Sequence, residues 1–388
     1  MSLLGRRKST RDARRRELER PNYGWIWKPL LALLLLYLLV TLVLGIWWSR
    51  EPPPFDVERA TGEQRQALEG DQSGLPGARG TVSTATLKQV VDTLTDKPGG
   101  YLRNDVAPPG VWLDNMPNWE LGVLQQSRDL SASLVAMAGG DDPYLEEAEA
   151  RLQVGSRDWL YPSAEQRFGQ ASEALASYLS ELGGDAAEGF APRGEPLGDW
   201  LLRVEARLDD LTRRLSASIG ERDASRQLGI DADEQPEATP WYRVDDIFFE
   251  ARGSGWALLH FLRGLERDYG DLLEAAEAHQ DWQQLIAELE MTQRRIWSPV
   301  ILNGSGFGIF ANHSLVMANY TVRARDLAGE LASRVAEVEV SEVHQAQEEQ
   351  AVEPPVEDVV EDDDADDAAD EPEEIDETQA PAEGDEAS

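Results

Sequence analysis

Two short stretches hold the side chains best suited to chemistry. In the first, Asp114-Asn115-Met116-Pro117-Asn118-Trp119-Glu120, two carboxylates, two amides and an indole fall within seven residues. Together with Trp112 they could line a groove for a glycan or a peptide, since an indole stacks on apolar faces and a carboxylate can exchange protons. The same residue types also begin helices: Asn115 or Asn118 would cap, and the tryptophans would turn inward. The structural reading is preferred, because capping demands these very side chains. The second stretch is Asn303-Gly304-Ser305-Gly306-Phe307-Gly308, followed by Asn312-His313-Ser314. It resembles a phosphate-cradling loop but lacks the Lys-Ser/Thr pair, and no strand precedes it. Its glycines read as a tight turn that lets Phe307 and Phe310 pack, with His313 the nearest acid–base group. Joined, the stretches give one candidate polar cluster: Asp114, Asn115, Trp119, Glu120, Asn303, Asn312 and His313.

Other constellations are weaker. Asp246 and Glu250 are four residues apart and share a helix face, a spacing open to acid–base work or a metal. Arg243 and Arg252 stand close enough to make them ordinary ion pairs. His260 lies in an apolar run and reads as packed. No H-E-x-x-H or E-x-x-H spacing occurs, so neither a metal nor another cofactor is expected. The chain has no cysteine, which excludes thiol nucleophiles and thiolate zinc sites.

The elements that must carry these residues begin with Leu30 to Trp48, LLALLLLYLLVTLVLGIWW. Nineteen helical residues span roughly 28 Å, about the thickness of a bilayer's hydrocarbon layer. A cleaved secretory signal would be shorter and end in small residues, whereas this run ends in Ile46-Trp47-Trp48 and Arg50-Glu51-Pro52. An uncleaved anchor is therefore expected. Arg6, Arg7, Lys8, Arg11, Arg14, Arg15, Arg16, Arg20 and Lys28 precede the run and only Arg50 follows at once, so the positive-inside rule puts residues 1–28 in the cytoplasm. The span would be residues 29–48, and the mass after it would lie outside the cytoplasm. Residues 299–322 are too polar for a second span.

The formal net charge is −37 over 388 residues. Residues 1–48 carry +6, residues 337–388 carry −23, and the stretch between carries −20. Such acidity repels phosphates and argues against a nucleic-acid partner. Four lysines stand against 32 arginines. An acidic, lysine-poor surface is expected of a protein bathed in high salt, where screening removes self-repulsion. The tail 337–388 has too little apolar content to offset the cost of ordering and is expected to be disordered.

Between span and tail the periodicity is helical. Residues 49–80, with Pro52-Pro53-Pro54, read as a Pro/Gly linker. Leu87, Val90, Val91 and Leu94 form one stripe, ended by Lys97-Pro98-Gly99-Gly100. A second helix begins near Pro117 with Val123, Leu130, Leu134 and Met137 inward. Asp142-Pro143 and Ser163 read as helix starts. Trp200 to Leu215, Leu258 to Leu272 and Trp282 to Ile296 continue the stripes, and a last helix covers 312–335. The predicted fold is mainly α: a transmembrane helix, then an extracytoplasmic helical bundle over 81–336. Eight tryptophans beyond the span, Trp112, Trp119, Trp159, Trp200, Trp241, Trp256, Trp282 and Trp297, read as core anchors, about one per helix.

KPGGYLRNDVAPPGVWLDNMPNWELGVL at Lys97 to Leu124 and NGSGFGIFANHSLVMANY at Asn303 to Tyr320 resemble the two signatures of a proteobacterial family of membrane proteins classed as a domain of unknown function. The arginine-rich start, the span and WWSREPPPFDV resemble it too, and the likeness covers about residues 20–335. The resemblance implies a single-pass inner-membrane protein with a helical periplasmic part. It carries no activity and no catalytic residues. The expected role is that of a binding, scaffold or structural component of the envelope, with the bilayer and an envelope protein as partners. The alternative is an envelope hydrolase acting on glycan, peptide or lipid, which needs Asp114, Glu120 and His313 in one cleft.

Overall fold

The structure is a computed structural model that describes residues 24–69, 77–184, 187, 189–219, 237–296, 301 and 312–340. These are mainly helical. The acidic tail beyond Val340, Trp297 and the glycine loop with Asn303 lie outside the described residues, while the first tail residues, expected to be disordered, pair with 192–194 through Val338 and Val340.

Helix α1 (Gly24–Trp48) has no charge after Lys28, and its leucines leave it apolar on all sides. Most of it is bare, with Leu42 61% exposed and Ile46 62%. One face differs: Thr41 is 4% exposed, and Leu44, Gly45 and Trp48 are partly covered. Their spacing of three, one and three is that of neighbours on a helix. Gly45 faces Pro109 and Leu113, and Trp48 packs on Gly99.

The segment that reads as a linker holds a helix, α2 (Val57–Glu69). Its inward face is Val57, Ala60, Thr61 and Arg65, and Gln64 donates to the Ala85 carbonyl at 3.0 Å. So polar a stripe gives no apolar periodicity, which is why the sequence conceals it.

Helix α3 (Thr81–Asp96) buries Leu87, Val90, Val91 and Leu94. Its N-terminus follows Gly80, which sits at φ +97° and offers no side-chain cap. Asp268 supplies the cap from a distant helix, accepting from the Ser83 N–H at 2.7 Å and the Ser83 hydroxyl at 2.5 Å. Two orphan amide donors of the first turn are met in this way, the Val82 N–H being the other.

Helices α4 (Asn115–Met137) and α8 (Val244–Asp268) form the central crossing. Gly122 of α4 lies on the backbone of Glu250 and Ser254, and Gly253 of α8 lies on the Trp119 carbonyl. A Cβ at either glycine would overlap those atoms. Helix α5 (Pro143–Leu152) starts on Asp142, whose carboxylate accepts from Tyr144 and Leu145 N–H. Helix α6 (Ala164–Leu182) starts with a capping box of Ser163 and Gln166. Helix α7 (Glu195–Ile219) runs antiparallel to α11 (His313–Ala336), with Gly194 and Gly198 against Val335 and Ala332 at one end and Thr212 bonded to Thr321 further along.

The stripe from Leu258 to Leu272 is not one helix. It breaks after Asp268, and α9 (Gly270–Ala275) resumes beyond Tyr269. Both pieces bury their apolar residues, so periodicity passes through the break unmarked. Helix α10 (His279–Thr292) ends before Ile296.

The tryptophans divide. Trp119, Trp200, Trp256 and Trp282 are fully buried, while Trp112, Trp159 and Trp241 are 57% to 87% exposed. The core-anchor expectation fails for those three because each stands at a connection between the longer helices and has no partner helix to cover it.

Candidate functional site

The first candidate stretch opens α4. Asp114 caps it, accepting from the Asn115 N–H at 2.9 Å. Trp119 is fully buried beside Trp256, their rings 5.1 Å apart. That stack continues through His260 (4.4 Å) to Phe55 (4.0 Å). Trp119 thus belongs to an aromatic column that joins the core to the segment after α1, and no groove reaches it.

Glu120 is also fully buried. Its carboxylate meets the Lys97 ammonium at 2.5 Å and accepts from the N–H groups of Leu102 (2.9 Å) and Arg103 (2.7 Å). Lys97 also donates to the Gly100 carbonyl. Burial pushes the Glu120 carboxyl upward, and the ammonium and two amides oppose it. Lys97, Glu120 and the glycines of KPGG therefore fold the 97–103 turn around one buried ion pair. The sequence marks KPGG as a helix stop, which it is, and Glu120 as a member of the candidate polar cluster, without joining the two. The only signal of their pairing is that Lys97 is one of four lysines in the chain.

The open site lies beside this turn. A cavity of about 890 Å³ is bounded by the 102–114 loop, the start of α4, the end of α7 and the start of α8. Asp114, Asn118, Asp246 and Glu250 reach it, with Arg103, Arg214 and Arg243. The polar groups hold one another. Arg214 clasps Glu250 through two bonds of 2.7 Å. Asn118 donates to Asp246 at 2.6 Å, and Arg103 to the Pro117 carbonyl at 2.9 Å. The expected ion pairs form in part: Arg243 meets Asp246 at 3.9 Å, whereas Glu250 takes Arg214 and Arg252 turns away to Glu51 at 2.6 Å, as residues two apart on a helix face opposite sides. Burial, then the neighbouring carboxylates, raises the Asp246 carboxyl, and the same causes act on Asp245. Six carboxyl groups line the cleft against four arginines, Arg157 being the fourth, an excess of acidic groups that disfavours phosphate guests.

The remaining candidates are placed elsewhere. Asn115 lines a second cavity, with Ser49, Glu51 and Arg252. Asn312 caps α11 through the Leu315 N–H at 2.9 Å. His313 lines a third cavity beside Phe248, with its ring 6.3 Å away, and burial lowers its pKa. Asp114, Glu120 and His313 share no cavity. Asn303 lies outside the described residues. Among the described residues no group of three or more metal-ligating side chains gathers.

Arg252 and His260, which the sequence marks without their partners, join α1 to the bundle. Arg252 is buried; beyond Glu51 it donates to the carbonyls of Thr292, Gln293 and Arg294, closing the end of α10. Eight residues further along α8, His260 accepts from the Phe55 N–H at 3.0 Å and contacts the Trp256 carbonyl at 2.7 Å. Those bonds require the neutral imidazole with its proton on Nδ1, and burial holds its pKa down to about 4.

Fold and site together define a helical bundle with an apolar helix bolted to its start. The chain belongs to a family described as uncharacterized proteins conserved in bacteria (DUF2333), whose model matches residues 20–335. No curated protein and no solved structure matches it.

Proposed function

We propose that this chain is a single-pass inner-membrane protein whose N-terminus is cytoplasmic and whose bundle stands in the periplasm as a binding or scaffold component of the envelope. The observation that carries this reading is the join between α1 and the bundle. A helix of 23 residues, Ile26–Trp48, is long and apolar enough to cross a membrane, and a signal sequence passes the same test. A segment destined for removal has no need of a built junction. Here the segment itself is built in: Thr41 is buried, Gly45 faces Pro109 and Leu113, and Trp48 packs on Gly99, with Glu51 and Phe55 just beyond it held by Arg252 and His260. The basic residues before α1 support the orientation.

The scaffold role is favoured because the groups best suited to catalysis serve the fold. Glu120 pins a turn, Asp114 and Asn312 cap helices, and Glu250 is neutralised by Arg214. The hydrolase alternative needs a shared cleft for Asp114, Glu120 and His313, and they line no common cavity. Crosslinking in intact cells, with partners identified by mass spectrometry, tests the scaffold role; recovery of the chain only as an unattached monomer would refute it. Protease added to spheroplasts tests the topology, with digestion of the bundle expected.

A further inference from the structure

Outside α1, eight of the eleven large apolar side chains exposed among the described residues fall on three loops. These are Val106, Val111 and Trp112; Trp159, Leu160 and Tyr161; and Trp241 with Tyr242. The other three, Leu68, Leu202 and Val316, stand singly on helices. Scattered single apolar residues need no explanation, but a cluster does.

The loops meet around one opening. Val111 and Leu113 flank Trp112, Pro240 and Arg243 flank Trp241–Tyr242, and Arg157 lies two residues before Trp159; all five flanking residues line the 890 Å³ cavity. Asn104 ties the first loop to the second through the Asp158 carbonyl at 2.9 Å.

The first loop also touches α1, and the level of that contact matters. Pro109 and Leu113 face Gly45, three residues before Trp48. At ~1.5 Å per residue, Gly45 lies about 4.5 Å inside the outer end of the span. A loop packed at that level cannot stay in bulk water once α1 crosses a bilayer. Its side chains suit the place, since Trp and Tyr settle where headgroups meet hydrocarbon, ring in the apolar layer and polar edge in the wet one.

We propose that these three loops form a membrane seat: Trp112, Trp159–Tyr161 and Trp241–Tyr242 insert into the interface of the leaflet from which α1 emerges, with the cavity between them opening at headgroup level. The seat rests on the reading of α1 as an uncleaved span. Its occupant is the lipid surface, because the loop is continuous with α1 at a depth that lipid already occupies.

The absence of cysteine makes single labels unique. The full chain is reconstituted into vesicles of phosphatidylethanolamine and phosphatidylglycerol as Trp112→Cys, Tyr161→Cys or Trp241→Cys, each carrying a nitroxide. Leu202→Cys, exposed on α7, is the aqueous reference, and Leu35→Cys, exposed mid-span, is the lipid reference. Collisions with oxygen, which partitions into lipid, are compared with those of a water-soluble nickel chelate. The expected result is an oxygen-to-nickel ratio at all three loop positions several-fold above that at position 202 and below that at position 35. A ratio matching position 202 at any loop position, with position 35 in lipid, overturns the seat while leaving the anchor intact; the rim would then face a protein. A watery signal at position 35 removes the anchor and the seat together.

Discussion

A neutral imidazole locked among aromatic rings takes up no proton where the unfolded chain would. Burial brings His260 from 6.5 to about 4. Between those values the unfolded state binds the proton and the folded state does not, so stability is complete above the unfolded pKa and declines as pH falls toward about 4. The gap is worth roughly 3 kcal/mol. In His260→Gln the amide still offers Trp256 a donor and Phe55 an acceptor but cannot be protonated. Denaturant midpoints of the detergent-solubilised variant should therefore lose most of the wild type's acid sensitivity in that window; parallel pH profiles would contradict this account. The site residues were legible in kind and not in partner. Asp142 reads correctly as a cap because a cap bonds amides two or three residues on; Asn312, placed in the candidate cluster, proves to be a cap of the same kind. The pairings of Glu120 and Asp268 leave no such signal, because Lys97 is 23 residues from the first and Ser83 is 185 from the second. Spacing along a chain carries no trace of such closures.

At the scale of elements, apolar periodicity located α3, α4, α6, α7 and α10, since a stripe is a local pattern that one helix buries whole. It was blind in two situations. In α2 the inward face has only Val57 and Ala60 as apolar members beside Thr61 and Arg65, and Thr61 and the adjoining Gln64 hydrogen-bond inside instead of merely filling space. At Tyr269 the stripe crosses a break, because both sides of the break face the same core. The crossing of α4 with α8 was also hidden, although its glycines are plain in the sequence. Gly122 and Gly253 bring two backbones together with no side chain between them. Gly122→Ala gains about 1 kcal/mol in helix propensity but drives a methyl group into the Glu250 carbonyl. Overpacking of this kind costs roughly 1–3 kcal/mol, and here the obstacle is backbone that cannot rotate away. A net loss of stability is expected, read as a lower thermal midpoint by circular dichroism. An unchanged or raised midpoint would mean the helices part easily.

Across the whole molecule, charge is distributed as unevenly as apolar surface. Residues 49–336 carry −20, and many of their arginines are committed to carboxylates within the fold, as Arg79 is to Asp271 and Arg207 to Asp129. The excess must repel itself at low ionic strength. We propose that the protein is adapted to saline surroundings. Moving from dilute buffer to molar salt should raise the thermal midpoint, by about 2–4 °C for each ~1 kcal/mol of repulsion screened in a body of this size. Insensitivity to salt would count against the adaptation. The junction at Glu51 and Phe55 has its own outcome at this scale. A bundle on a slack tether could sweep a wide volume and fetch distant molecules. This one is held like a lamp on a bracket, gripped twice within seven residues of where the rod ends. With the rod in a bilayer as proposed, the bundle's orientation toward the surface below would be inherited from the rod, and a tilt of the rod would pass to the bundle. A partner would then have to arrive close to that surface and already turned the right way.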